Sequence, residues 1–219
     1  MTYPNLETKT RMHKLFRRDK NYPHRLNDLF DPPNPLYISG NLALLKMPMI
    51  AIIGSRQASS HGLKNAALFA NQLAQAGALI ISGLARGIDG AAHRATLSEP
   101  DMRFTAAVCG TGLDIVYPKE HWGLAAKIGK QGLLISELGP WVGPKPFHFP
   151  RRNRIIAALA LGVVVIEATE NSGSLITARI AADLGREVFA LPGPAHDPRY
   201  AGCHQLIQQG IVKSKWETT

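Results

Sequence analysis

The chain has 219 residues, of which 45% are hydrophobic, which is enough for one large domain with a sizeable core. Its formal net charge of +9 favours polyanionic partners, with nucleic acid ahead of an anionic membrane surface. There is no apolar run of membrane-spanning length and no signal-peptide pattern, so we expect a soluble cytoplasmic protein without a membrane partner. The two cysteines, Cys109 and Cys203, have no CxxC neighbour, which argues against a disulfide framework or a zinc knuckle.

The composition divides the chain into two parts. Residues 1–47 form a basic, proline-rich N-terminal lead-in that contains a short predicted strand at 36–38. Residues 48–219 alternate regularly between short apolar runs and amphipathic stretches, and we predict that they form the main domain.

The alternation in the main domain predicts a doubly wound α/β fold. Apolar runs at 49–53, 78–82, 105–109, 133–136, 163–166 and 187–191 have the appearance of strands buried on both faces. Helical spacing follows most of them, and Asp89 is predicted to cap the second helix. Such a pattern indicates a mainly parallel sheet with helices on both faces.

The most unusual stretch is Phe149-Pro150-Arg151-Arg152-Asn153-Arg154. Pro150 suits the first position of a helix, which would put the three arginines in its first turn. Each cation there is unfavourable by about 0.3–1 kcal/mol, so the cluster indicates an anion bound above it. A solvated arginine cluster is the alternative.

Small, polar loops follow four of the predicted strands, and in a parallel sheet these loops meet at one rim. They are Gly54-Ser55-Arg56, Ser82-Gly83, Gly110-Thr111-Gly112 and Asn171-Ser172-Gly173-Ser174. Glycines and helix-start amides suit phosphate, and Arg56 is the sharpest candidate for a phosphate contact. Lys119 and Lys145 extend the basic track, and either Phe147 or Phe149 could stack on a base or belong to the core. Taken singly, each glycine favours an ordinary tight turn over a phosphate contact, and the prediction depends on the loops converging together with arginines.

Enzyme signatures are missing from this sequence. It has no GxGxxG opening the first crossover, no Walker A motif, no GxSxG elbow and no histidine spacing typical of a metal site. We therefore predict no catalytic residues, no metal and no cofactor. The alternative is a nucleotide-processing enzyme of the phosphoribohydrolase type, but Pro192-Gly193 lacks the second glycine and the glutamate of that loop.

Ordered motifs over residues 22–212 resemble the DprA/Smf family, the DNA-processing protein A of bacteria. The segments that carry the resemblance are Gly54-Ser55-Arg56, Ser82 to Asp89, Gly110 to Asp114, Tyr117-Pro118, Ser136-Glu137, Phe149 to Arg154, Glu167-Ala168, Ser172 to Ser174 and Pro192-Gly193. The resemblance implies an extended Rossmann-like domain that binds and protects incoming single-stranded DNA. It also implies that the protein helps to load the RecA recombinase during natural transformation.

The resemblance further implies a homodimer formed through the region from His204 to Lys213. Many members of the family carry a winged-helix module after this domain, and these residues depart from the family in containing no match to it. This makes the chain either a shortened form of a longer protein or a short member of the family. The complete set of predicted DNA-binding residues is Gly54, Ser55, Arg56, Lys119, Lys145, Phe149, Arg151, Arg152, Asn153, Arg154, Ser172 and Gly173.

Overall fold

The structure, a computed structural model, describes residues 12–98 and 103–212. Eight strands lie in these ranges: β1 Met12–Leu15, β2 Leu36–Gly40, β3 Met49–Ile53, β4 Leu79–Ser82, β5 Thr105–Val108, β6 Leu133–Ser136, β7 Gly162–Val165 and β8 Glu187–Ala190. The α-helices described are α1 Ser60–Gln75, α2 Ile88–Ser98, α3 Trp122–Gln131, α4 His148–Leu159, α5 Gly173–Asp183 and α6 Ala201–Gln208. No helix of the described part is long and apolar enough to cross a membrane.

All the described strands form one sheet in the order β1-β2-β6-β5-β4-β3-β7-β8. The six strands β6, β5, β4, β3, β7 and β8, which are neighbours in this order, run parallel. At the β6 edge, β2 pairs antiparallel with β6, and β1 pairs antiparallel with β2. The predicted doubly wound, mainly parallel fold is therefore confirmed.

Helices cover both faces of the sheet because the strands alternate their side chains between two apolar cores. Along β3, Ile52 packs into the core that α1 and α2 cover, whereas Ala51 and Ile53 pack into the core of α4, α5 and α6. A third cluster joins α3 to β5 and β6 through Ala107, Leu134 and neighbouring apolar side chains.

The described part of the N-terminal lead-in, residues 12–47, is built into the same core and is called the N-terminal segment below. Leu15 and Leu36, from β1 and β2, are buried together with side chains of β3 and α4. Leu26, on a short 3-10 turn between these two strands, is also fully buried there.

Helix α4 starts earlier than the sequence indicates. It begins at His148, whose amide donates to the carbonyl of Lys145 at 3.0 Å, so Pro150 is its third residue rather than its first. Proline is tolerated there because amides of the whole first turn lack an intrahelical acceptor. The prediction that all three arginines lie in the first turn is wrong, since they occupy positions four, five and seven.

Candidate nucleic-acid interface

The carboxyl ends of β3 and β7 open a cleft of about 450 Å³. These strands are neighbours, yet the chain leaves β3 toward β4 and leaves β7 toward β8, on the other side. Such a reversal of strand order is where open α/β sheets bind ligands. The cleft is lined by seven of the twelve predicted residues: Gly54, Ser55, Arg56, Arg152, Asn153, Ser172 and Gly173.

The loop that carries Arg56 is clamped by backbone on two sides. The amide of Ser55 donates to the carbonyl of Glu167 at 2.6 Å, and the carbonyl of Ser55 accepts from the amide of Ile88 at 3.1 Å. Gly87 permits this approach because its φ is +70° and a Cβ there would lie 2.1 Å from the Ser55 carbonyl oxygen. The loop is therefore held in one conformation by its neighbours.

Arg56 is exposed between the cleft and an aromatic pair. Its Cζ lies 5.5 Å from the centroid of the Phe149 ring, which in turn tilts against Tyr117 at a centroid distance of 5.2 Å. Arg86, which shares a small depression with these residues, is paired with Glu120. Among the described residues no carboxylate pairs with Arg56, so its guanidinium can take an anion.

The opposite wall of the cleft is the start of α5. Ser172 caps this helix by accepting from the amide of Ser174 at 3.3 Å, and Gly173 is exposed beside it. Asn153 ties α4 to this wall, since its Nδ2 donates to the carbonyl of Gly173 at 3.2 Å. A helix N-terminus carries partial positive charge, so this wall also favours an anion.

Arg152 lines the buried bottom of the cleft, with only 4% of its surface exposed. Its Nη1 donates to the carbonyls of Gly83 and Val108, so it joins the ends of β4 and β5. Burial lowers the pKa of this guanidinium, while the nearby Asp89 carboxylate acts in the opposite direction. Its contacts indicate that Arg152 holds the floor of the cleft rather than standing free in solvent.

Asp89 is a site residue that the sequence analysis assigned to another role. Helix α2 begins at Ile88, and the Asp89 carboxylate instead accepts from the amides of Gly83 and Ala85 at 3.1 and 3.3 Å. Burial raises its pKa, and Arg152 and these amides oppose the rise. The arginine-rich stretch drew attention to Arg152, whereas a single aspartate at a helix start gave no sign that Asp89 is buried beside the cleft.

Arg151 and Arg154 do not line the cleft. Both contact Glu137, at 3.1 Å from the Nε of Arg151 and 2.5 Å from Nη2 of Arg154. Arg154 also donates to the carbonyl of Asp31 at 2.7 Å, which ties α4 to the N-terminal segment. The sequence analysis predicted all four residues of this stretch as DNA contacts. The structure places Arg152 and Asn153 at the cleft, and Arg151 and Arg154 away from it.

The remaining predicted residues lie outside the cleft: Lys119 and Lys145 are exposed on loops, and Phe149 is in the first turn of α4. Lys119 starts the 3-10 turn Lys119–His121, directly after Tyr117 and Pro118 of the aromatic depression. Lys145 lies with its Nζ 5.9 Å from the centroid of the Phe147 ring, which is itself 61% exposed. Phe149 is half-buried against Gly110. Of the two phenylalanines that the sequence offered for stacking, Phe149 is the one whose ring lies beside Arg56.

The arrangement can hold phosphates and stack bases. Within the described ranges, no group of three His, Cys, Asp or Glu residues could hold a metal ion. What the cleft offers is a guanidinium, a helix N-terminus and fixed loop amides, with aromatic rings beside them.

The sequence matches the family model described as DNA recombination-mediator protein A over residues 13–218. DNA processing protein DprA of Streptococcus pneumoniae is 48% identical over 192 residues, covering 88% of this chain and 67% of that protein. Protein Smf of Escherichia coli is 46% identical over 202 residues, covering 91% of this chain and 54% of that protein. The chain therefore spans about half to two thirds of the length of these curated relatives. The resemblance inferred from the motifs is confirmed.

Two solved structures have the same fold. DprA from S. pneumoniae matches with a TM-score of 0.87 at 46% identity, covering 92% of this chain and 70% of that one. DNA processing protein A from Helicobacter pylori matches with a TM-score of 0.84 at 30% identity, covering 95% of this chain and 92% of that one. The H. pylori structure is described as giving insight into a unique single-stranded DNA binding mode of that protein.

Proposed function

Because the chain belongs to the DNA recombination-mediator protein A family, we propose that it binds single-stranded DNA across the cleft between β3 and β7. One observation carries the proposal: Arg56 is exposed, has no carboxylate partner among the described residues, and stands between the α5 N-terminus and the Phe149 ring. Phosphates then lie against Arg56 and the helix start, and a base stacks on Phe149. The binding mode described for the H. pylori relative supports this choice of ligand.

Replacing Arg56 by Ala tests the site. A charge-assisted contact to phosphate contributes about 1.5–3 kcal/mol, so affinity for an oligo-dT strand should fall roughly tenfold to a hundredfold. The slope of log K against log salt should shrink by about 0.7, the value for one phosphate neutralised on a single strand. Fluorescence anisotropy across a salt series measures both quantities.

Lys130→Ala is the matched control. Lys130 is exposed in the last turn of α3, just before β6 starts, so it lies at the opposite end of the sheet from the cleft. Its loss removes the same single charge and should change affinity less than twofold. Equal affinities for the Arg56→Ala protein and the parent at physiological salt would rule out this site.

We further propose that the bound strand is shielded and passed to RecA in the cytoplasm, without any covalent change to the DNA. The family membership supports this proposal, and the experiment is the rate of RecA assembly on a single strand with and without the protein. No acceleration would contradict it.

We also propose that the protein dimerises through residues 204–213, of which 204–212 lie in the described part and Lys213 lies outside it. Ile207 on α6 is exposed there and gives this surface an apolar side chain. Light scattering should give the mass of a dimer, and Ile207→Glu should reduce it to that of a monomer. A monomeric parent protein would exclude this interface.

A further inference from the structure

We propose that Trp141 is a second nucleobase-stacking site, placed farther along the same rim as the cleft. This inference rests on the proposed binding of single-stranded DNA, and it adds a contact that lies outside the cleft. The ligand at this site is a base of the strand whose phosphates lie at Arg56.

Trp141 is held in an exposed and strained position. Its side chain is 72% exposed, and its φ of +63° lies in the left-handed region, where a bulky non-glycine residue is an outlier. Its amide donates to both carboxylate oxygens of Asp114, at 2.9 and 2.8 Å. Strained residues of this kind persist only where the surroundings fix them, and they concentrate at binding sites.

The turn around Trp141 is held against the loop that follows β5. The carbonyl of Val142 accepts from the amide of Gly112 at 2.8 Å. Gly112 also packs so tightly on this turn that a Cβ there would lie 2.4 Å from the carbonyl oxygen of Gly139. The indole is therefore presented to solvent on a turn that hydrogen bonds to Asp114 and Gly112 hold in place, so little ordering is needed when it binds.

Trp141 lies on the carboxyl rim that also holds the cleft. It follows β6, Phe149 lies against the end of β5, and Arg56 follows β3. From β3 to β6 there are three strand spacings of about 4.8 Å, or about 14 Å. A stacked strand advances about 3.4 Å per nucleotide, so a strand held at Arg56 reaches Trp141 after about four or five nucleotides.

The chemistry around Trp141 suits a base and not a phosphate. The Asp114 carboxylate beneath its amide repels a phosphate group. An indole face stacks on any base without reading its sequence, as aromatic platforms do in single-strand binding proteins. In this proposal Arg56 binds the phosphate backbone of the strand, and Trp141 stacks on one of its bases.

Tryptophan fluorescence tests the proposal directly. The sequence holds two further tryptophans, Trp122 and Trp216, and the double variant W122F/W216F leaves Trp141 as the single fluorophore. Stacking should quench its emission at least twofold when the full chain is titrated with dT12, with the same midpoint as anisotropy. A dinucleotide, which cannot span from Arg56 to Trp141, should leave the emission unchanged.

A second variant separates binding from folding. Trp141→Gly should bind dT12 roughly tenfold more weakly because it loses one stacked base. Its melting temperature should not fall, because glycine adopts a positive φ without strain. Trp141→Phe keeps an aromatic face and should restore most of the affinity.

Two results would overturn the inference, and they differ. In the first, Arg56→Ala weakens the binding of dT12, but Trp141 emission does not change and Trp141→Gly binds as tightly as the parent. This result would show that Trp141 does not contact the strand, while the proposed cleft would stand. A parent protein that does not bind single-stranded DNA at all removes both proposals.

Discussion

At the scale of single residues, four arginines that lie close together have different roles. Arg56 is exposed and faces an aromatic ring, whereas Arg152 is buried under the cleft and bonded to two carbonyls. Arg151 and Arg154 pair with Glu137 on another side of α4. Charge alone therefore does not decide which arginine is placed to bind an anion, and each arginine's role follows from its own neighbours.

Replacing Arg152 by Ala should lower the free energy of unfolding by about 3–5 kcal/mol. The change leaves the carbonyls of Gly83 and Val108 without this donor and removes the positive charge that acts on the buried Asp89 carboxylate. Urea unfolding followed by circular dichroism measures the loss. Arg151→Ala is the neighbouring control: that side chain is 54% exposed, and its loss should cost less than about 1 kcal/mol. Similar losses for the two variants would show that Arg152 is not the structural arginine.

The sequence drew attention to the arginine-rich stretch but did not show which of its arginines is buried and which are exposed. Successive residues of a helix point about 100° apart, so Arg151, Arg152 and Arg154 cannot all face one surface. Which of them is buried depends on how α4 packs against the sheet, and Arg152 lies on the buried side with Ile155 and Ile156, three and four residues later. Arg56 was simpler to predict because it directly follows a strand whose apolar run is unambiguous.

At the scale of elements, the N-terminal segment extends the sheet and fills the core. β1 and β2 add antiparallel to the β6 edge, and Leu26 between them is fully buried. The parallel strands could be predicted because each one is a local apolar run. The pairing of β2 with β6 joins residues about 97 positions apart, as in Ile38 with Ile135, and no local pattern indicates it. The order of the strands, and with it the position of the cleft, is nonlocal in the same way.

Replacing Leu26 by Ala should therefore destabilise the entire protein. A fully buried leucine reduced to alanine costs about 2–5 kcal/mol, depending on how far the cavity collapses. The control is Leu68→Ala on α1, where the leucine is 52% exposed and the expected change is below about 0.5 kcal/mol. Urea unfolding of both variants measures the two losses in the free energy of unfolding. If the Leu26 variant were as stable as the control, the N-terminal segment would not be part of the cooperative fold.

At the scale of the whole molecule, a buried histidine links folding stability to pH. His93 on α2 is fully buried, and its Nδ1 lies 2.7 Å from Thr105 Oγ1, which itself donates to the carbonyl of Ile80 at 2.7 Å. The ring must therefore be the donor at Nδ1. Burial lowers the pKa of His93 from 6.5 to about 3, and the neighbouring His121, Arg152 and Arg94 act in the same direction.

The parent protein should lose stability as the pH falls below 6.5. Between this pH and about 3, the unfolded chain binds a proton at His93 that the folded state does not accept. The free energy of unfolding then falls by about 1.4 kcal/mol per pH unit, or about 2 kcal/mol between pH 7 and pH 5. His93→Gln should flatten this dependence, whatever its stability at pH 7. Parallel pH profiles for the two proteins would assign the acid sensitivity to other groups.

The clamped loop before Arg56 has a kinetic consequence. Because Glu167 and Ile88 fix the backbone of Ser55 in the free protein, a strand that binds as proposed would find the loop already arranged. Capture should then proceed close to the rate at which the positively charged molecule meets DNA, and that rate should slow as ionic strength rises. The time that a strand remains attached should depend on the Arg56 contact and on the aromatic faces together, and salt should act on the first much more than on the second.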